Sequence, residues 1–415
     1  MTRPPLGWNS WDCFGGSVTE AEVLSNAEFM AAHLLPHGWD HVVVDIQWYE
    51  PDPGFNDYRV RSSAMLDANG RPQPAINRFP SATDGRGFTS LANRIHSLGL
   101  KFGVHLMRGI PRRAVAADLP IAGAPYTARE IADQENRCPW NPDNDGVDAS
   151  HPGAAQWYDS LIAMLADWGV DFIKLDDVLY PPVQRAEIKL ISEAIGRTGR
   201  DISLSLSPGR ELSLEQLDFL RTHSAMWRVS DDLWDDWSAV LEQFQRAARW
   251  APFQGDAGFA DLDMLPLGRI GLRAHVGTER DSNLTPAEQR TMVTLWSIAR
   301  SPMMFGGHPP YSAQETVDLL TNDAVLAVNQ RSDHNREIIR DGDLIIWAAT
   351  LDGDQVRAVF WLGDEPTTRS MHRFDLGVAD TDHAIDLWSG ARIPVRSGWL
   401  SVDLEPHDAV LLRLS

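Results

Sequence analysis

Short apolar runs alternate with longer amphipathic stretches through the first three-quarters of the chain. "HVVVDIQW" (41–48) follows a helical pattern near 19–35, and "KFGVHLM" (101–107) follows "FTSLANRIHSLGL". "DFIKLDD" (171–177) follows "AAQWYDSLIAMLADWGV", whose apolar residues recur at helical spacing. "DISLSLS" (201–207), "AMWRVSDD" (225–232), "FADLDML" (259–265) and "ARSPMMFGG" (299–307) continue the series, and "LGWNSW" (6–11) opens it. Strands that alternate with helices favour a parallel sheet. Eight such units over roughly 300 residues suit an α/β fold of the (β/α)8 TIM-barrel type, with a doubly wound open sheet as the alternative.

Beyond about residue 330 the pattern changes. "DLIIWAATL", "QVRAVFWLG", "SMHRFDLG", "HAIDLWSG" and "HDAVLLRLS" are strand-like runs cut by Gly, Asp and Pro turns. They predict a small antiparallel C-terminal β-sandwich over 329–415, after a barrel over 1–328. Its simplest role is to pack against the barrel.

Parity along the strands locates candidate chemistry. Side chains alternate across a strand, so Phe172, Lys174 and Asp176 share one face. If Phe172 faces the barrel interior, Lys174 and Asp176 stand above it at the C-terminal mouth, where barrel enzymes carry their catalytic groups. Arg228 and Asp232 share a face two strands later. Asp45 ends the second run, and Asp261 and Asp263 share parity in the seventh. Two carboxylates from different strands, flanked by Lys and Arg, suit glycosidic-bond cleavage: one attacks the anomeric carbon while the other protonates the leaving oxygen. Any single one of these aspartates could equally be a loop residue or helix cap.

Composition narrows the partners. With 37 basic and 58 acidic residues the net charge is −21, which argues against nucleic acid or an anionic membrane. The expected partner is a small-molecule or oligosaccharide substrate, and oligomeric state is not readable. No run has signal-peptide or membrane-span character, so a cytoplasmic location is expected unless a leader has been removed. Two cysteines cannot form a disulfide framework. Sixteen tryptophans are unusual; most are expected in the core, with some free to stack on sugar rings. The thirteen histidines show no zinc spacing, and no cofactor or metal is expected. "NPDNDGVD" (141–148) resembles the start of a calcium loop but lacks its closing Glu, and reads better as an acidic, turn-rich loop. "MMFGGH" (303–308) reads as a tight turn needing glycine rather than a phosphate site. Asp235 and Asp236 are expected to be solvated and to cap the following helix.

Several segments together resemble glycoside hydrolase family 27, the α-galactosidases and α-N-acetylgalactosaminidases. "PPLGWNSWDCFG" is similar to its opening motif, "VVVDIQW" to its second strand, and "FIKLDD" to its Lys-x-Asp nucleophile segment. "WRVSDDLWDDW" is similar to its acid/base segment, and "FADLDML" to its Asp-Pro-Asp-Met-Leu element. "LTPAEQRTMVTLWSIARSPMMFGG" and "LLTNDAVLAVNQ" match the end of its barrel. The resemblance implies Asp176 as nucleophile and Asp232 as general acid/base. It also implies that Lys174 and Arg228 contact the sugar, that Trp11 lies against its ring, that Asp45 binds a distant hydroxyl and that Asp263 lines the pocket. The implied activity is retaining, exo-acting hydrolysis of terminal α-galactosyl-type groups, with carboxyl groups about 5–5.5 Å apart.

Departures from the family pattern bear on substrate. The second strand usually ends in two aspartates that hold the far hydroxyls of galactose; here Ile46 takes the second position. His105 stands where many members carry an aromatic hydroxyl, and the fifth-strand loop "SLSLSPGREL" lacks the usual tryptophan. The cysteine common after the nucleophile is replaced by Asp177 and Val178. An unpaired polar group in a closed site costs about 1–3 kcal/mol, so ordinary α-D-galactosides are not expected to be the best substrates. A β-L-arabinopyranoside, an α-N-acetylgalactosaminide or an α-glucan is the alternative. A non-catalytic carbohydrate-binding barrel is disfavoured because both Asp176 and Asp232 are present.

Overall fold

The computed structural model describes residues 3–54, 58, 63–255, 257–379 and 381–414. Eight parallel strands form its centre: β1 Leu6–Asn9, β2 His41–Val44, β3 Lys101–Met107, β4 Phe172–Asp176, β5 Ser203–Leu206, β6 Met226–Arg228, β7 Phe259–Asp261 and β8 Met303–Phe305. Their order is β7-β6-β5-β4-β3-β2-β1-β8. A parallel bridge between Leu265, just beyond β7, and Phe305 on β8 joins the two ends. The sheet is therefore a barrel and not the doubly wound alternative. Each of the eight apolar runs contains one of these strands.

Several helices between the strands start where the chain supplies a side-chain cap. Thr19 and Glu22 form a reciprocal capping box at the start of Glu20–His33, and Thr285 with Glu288 does the same for Pro286–Ile298. Phe172 faces the interior, where it packs with Val43, Met226, Phe259 and Met304, the matching-parity residues of four other strands. That shared parity sends Asp45, Asp176 and Arg228 toward the C-terminal mouth. Eight tryptophans, from Trp8 to Trp347, are fully buried, which accounts for half of the sixteen without any ligand.

After the barrel come β9 Asp333–Asp341, β10 Leu344–Leu351, β11 Asp354–Trp361, β12 Thr367–His372, β13 His383–Asp386, β14 Arg392–Pro394, β15 Trp399–Leu404 and β16 Ala409–Leu414. They make a six-stranded antiparallel sheet, β9-β10-β11-β16-β13-β14, and a two-stranded partner, β12-β15. Alternation along β10 and β11 serves two cores at once. Ile345, Trp347, Ala349, Ala358 and Phe360 pack toward the barrel, whereas Ile346 and Val359 pack toward Met371, Leu400 and Val402 in the second sheet. Buried on both faces, these strands read as continuous apolar runs. Polar contacts add to the seam, with Arg290 on Asp408 at 2.5 Å and the Trp388 indole on Thr294 Oγ1 at 2.9 Å. No helix among the described residues is long and apolar enough to cross a membrane.

Candidate active site

A cavity of about 370 Å³ opens at the C-terminal mouth of the barrel, lined by Trp11, Asp45, Ile46, Lys174, Asp176 and Asp232 together with Tyr58, Trp140, Tyr180, Pro208, Asp231 and His275. A larger hollow of about 830 Å³ lies at the seam with the β-domain, around Arg290 and Trp388. It contains none of the strand-end residues, so the chemistry belongs to the smaller one.

Asp176, the last residue of β4, sits in a shell of donors. His105 Nε2 lies 2.9 Å from Oδ2, and Oδ1 accepts the Asp177 amide at 2.8 Å and Ser207 Oγ at 3.2 Å. An ionised carboxylate only accepts, so His105 Nε2 carries the proton of that contact. Burial pushes the Asp176 pKa up, but the His105 hydrogen bond and the charges of His105, Lys174 and Arg228 outweigh it and hold the group below the usual carboxylate range. On the same strand, Lys174 Nζ meets Asp45 Oδ2, just beyond the end of β2, at 2.8 Å, and Asn9 Nδ2 meets the same oxygen at 2.7 Å. Asp45 Oδ1 takes the Ile46 amide at 2.7 Å. Burial opposes charge on both partners, yet each holds the other ionised: the Asp45 pKa is lowered and that of Lys174 raised.

Asp232 faces this group from the loop after β6. Its side chain is 57% exposed, and Arg228 Nη1 holds Oδ1 at 2.7 Å. Arg228 Nη2 also pairs with Asp263 Oδ1 at 3.0 Å. Burial disfavours the guanidinium, but the carboxylates of Asp263, Asp232, Asp261 and Asp176 more than compensate, and it stays charged. Arg228, Asp263 and His105 are not part of the cavity lining. Each is buried: Arg228 holds Asp232 and Asp263, Asp263 also accepts the Leu233 amide, and His105 meets Asp176.

A family model described as α-galactosidase A matches residues 144–331, and one described as the α-galactosidase C-terminal β-sandwich domain matches 341–414. The structure of a GH27 β-L-arabinopyranosidase from Geobacillus stearothermophilus is 45% identical, covers 100% of this chain and 96% of that one, and superposes with a TM-score of 0.97. The chain belongs to glycoside hydrolase family 27. A Bacillus halodurans structure, provisionally assigned as an α-N-acetylgalactosaminidase, is 43% identical over 99% of this chain and 97% of its own, with a TM-score of 0.90. The α-galactosidase of Oryza sativa subsp. japonica is 25% identical over 422 residues, covering 99% of this chain and 84% of its own. Hydrolysis of glycosides is thus the activity class.

Within this family 27 site, some residues escaped the sequence reading. Tyr58 and His275 stack on Trp11 with ring centres 6.4 and 5.4 Å away. The Tyr180 hydroxyl donates to Asp231, beside Asp232. These residues come from separate loops with no shared motif, so nothing local marks them. Asn9 and Ser207 were within reach, since both lie at strand ends inside quoted runs.

Other expectations change with the structure. Asp235 is buried, not solvated, and takes Arg280 through both oxygens at 2.5 and 2.8 Å; Asp236 does cap Trp237–Trp250, accepting the Ser238 amide at 2.8 Å. The 141–148 segment contains a strand, Asn144–Val147, in a small three-stranded sheet. Its acids are already engaged, Asp143 by Tyr49 at 2.6 Å and Asp145 by Arg137 at 2.7 Å. Glycine at 306 is required by close approach: a Cβ there would meet Asp12 Oδ2 at 1.8 Å. Asp177 turns away from the cavity at φ 61 and pairs with Arg108 at 2.9 Å, a structural anchor that replaces the usual cysteine.

Proposed function

We propose that this family 27 hydrolase is a retaining, exo-acting enzyme whose preferred terminal group is β-L-arabinopyranosyl, cleaved by double displacement through Asp176 and Asp232. The observation that carries the sugar choice is Ile46, an apolar residue in the cavity wall where the family's second aspartate would accept a hydroxyl. β-L-Arabinopyranose has the ring stereochemistry of α-D-galactopyranose without the C6 hydroxymethyl. A wall of isoleucine suits a ring with no group to hydrogen-bond there. The 45% identical Geobacillus enzyme is a β-L-arabinopyranosidase, and a variant of it has been solved with arabinose.

In this reading Asp176, kept ionised by His105, Lys174 and Arg228, attacks the anomeric carbon as the bond to the leaving oxygen breaks. Asp232 gives its proton to that oxygen. The resulting glycosyl ester is then cleaved by water, which passes a proton back to Asp232 as Asp176 departs. Lys174 and Asp45 present a donor and an acceptor to ring hydroxyls, and Trp11 offers its face to the C–H side of the ring. His105, Arg228 and Asp263 act from behind the wall.

Initial rates on 4-nitrophenyl glycosides of β-L-arabinopyranose, α-D-galactose, α-N-acetylgalactosamine and α-D-glucose test the substrate. The arabinopyranoside should give the highest kcat/KM, and a clear lead for α-D-galactose overturns the choice. Proton NMR of the first product should show the starting anomeric configuration. Asp176→Ala and Asp232→Ala should each lower turnover by orders of magnitude with the fold intact, and near-normal rates in either variant refute that residue's role.

A further inference from the structure

Two carboxylates share one guanidinium behind the cavity wall. Arg228 reaches Asp232 at 2.7 Å with Nη1 and Asp263 at 3.0 Å with Nη2. The two acids sit in unlike settings, with the Asp232 side chain 57% exposed and that of Asp263 only 1%. The second oxygen of Asp263 accepts the amide of Leu233, the residue after Asp232, at 2.6 Å. Asp263 itself holds φ 86, an uncommon conformation outside glycine, with its own amide bound to Asp261 Oδ1 at 2.9 Å. It therefore grips the Asp232 loop twice, once through the guanidinium and once through the backbone.

A general acid must hold a proton when substrate arrives. An arginine hydrogen-bonded to it works against that, because an adjacent cation lowers a carboxyl pKa by about 1–3 units. We propose that Asp263 is a positioning residue that keeps the proton on Asp232, by neutralising Arg228 and fixing the Leu233 amide, and that it does not bind sugar. The proposal rests on Asp232 being the acid/base. Asp263 is faced by Arg228 and Asp232 from the β6 side, by Asp261 at the end of β7 and by the buried Asp12 from the segment after β1. Lys174 and the Tyr180–Asp231 pair bear on Asp232 from β4 and its loop. Burial raises the Asp263 pKa to about 7 against the pull of Arg228, with the carboxylates of Asp232 and Asp261 adding to the rise. Ionisation of Asp263 as pH rises offsets Arg228 and lets Asp232 keep its proton further into the basic range.

The test compares pH profiles of kcat/KM for wild type and Asp263→Asn on a 4-nitrophenyl and a methyl glycoside of the preferred sugar. The basic limb of Asp263→Asn should move about 1–3 pH units downward, and the loss at pH 7 should be larger for the methyl glycoside, which needs the acid more. Asp263→Glu, which restores the charge, should return the limb toward wild type. An unmoved limb with equal loss on both substrates overturns the proposal. Asp232→Ala should abolish the basic limb altogether; if the limb persists there, the acid/base reading fails instead.

Discussion

Replacing Ile46 with aspartate asks directly whether this one side chain sets the glycon. Ile46 is 2% exposed, lines the cavity and donates its amide to Asp45 Oδ1 at 2.7 Å. The new carboxylate would stand next to Asp45, whose Oδ2 is already taken by Lys174 at 2.8 Å and Asn9 at 2.7 Å. It would thus have no cation of its own and would depend on a hydroxyl from the substrate. A buried acceptor matched or unmatched by such a donor is worth about 1–3 kcal/mol, or roughly 5- to 150-fold in kcat/KM. For Ile46→Asp the galactoside-to-arabinopyranoside ratio should therefore rise by at least that factor. The assay is kcat/KM on the 4-nitrophenyl α-D-galactoside, β-L-arabinopyranoside and α-D-fucoside. The fucoside has a methyl group at C6, so it fills the same space without the hydroxyl and should gain nothing. Lost isoleucine packing should cost about 1.5–3 kcal/mol of stability, which a melting curve would register. A folded variant with an unchanged ratio, or an equal gain for the fucoside, refutes the argument that Ile46 reads the hydroxymethyl.

Asp45→Asn should destabilise the fold by about 3–5 kcal/mol in chemical denaturation, because it leaves Lys174 buried without its counterion; a loss under 1 kcal/mol would show the pair to be dispensable. The depressed folded-state pKa of Asp176 makes its ionised form a stabilising contribution, fully present above the unfolded value near pH 4 and lost as pH falls through the lower folded value. Wild type should therefore melt above Asp176→Asn at neutral pH, with the gap closing only below about pH 4, and a gap that does not depend on pH would contradict this. The acid limb of kcat/KM should likewise fall below about pH 4.

Local pattern carried a large share of the architecture. The eight apolar runs needed only their own periodicity to be read as strands, and parity along "DFIKLDD" was enough to send Lys174 and Asp176 to one face of β4. Motif identity within "FIKLDD" and "WRVSDDLWDDW" pointed to the family, and Ile46 was visible as a departure because its neighbour Asp45 marked the position. The inward or outward direction of Asp235, Asp177 and Asp263 had no such local marker. Asp177 lies one residue from Asp176 and Asp235 three from Asp232, and Asp235, Asp177 and Asp263 turned out to be committed to arginines brought from elsewhere: Arg280, Arg108 and Arg228 respectively.

Side-chain alternation is a short-range property, fixed by the φ/ψ of successive residues, so this amino-acid sequence alone determined the eight strands, the change to a β-domain and the faces on which Asp176 and Arg228 lie, whereas closure into a barrel rather than an open sheet was decided by the pairing of its two ends. Charge state and cavity lining are long-range properties. The ionised Asp176, the Lys174–Asp45 pair, the Tyr58–Trp11–His275 stack and the guanidinium shared by Asp232 and Asp263 all join residues from separate strands and loops. Only the closed barrel decided those, because burial and the distance between charges exist only once the chain is folded.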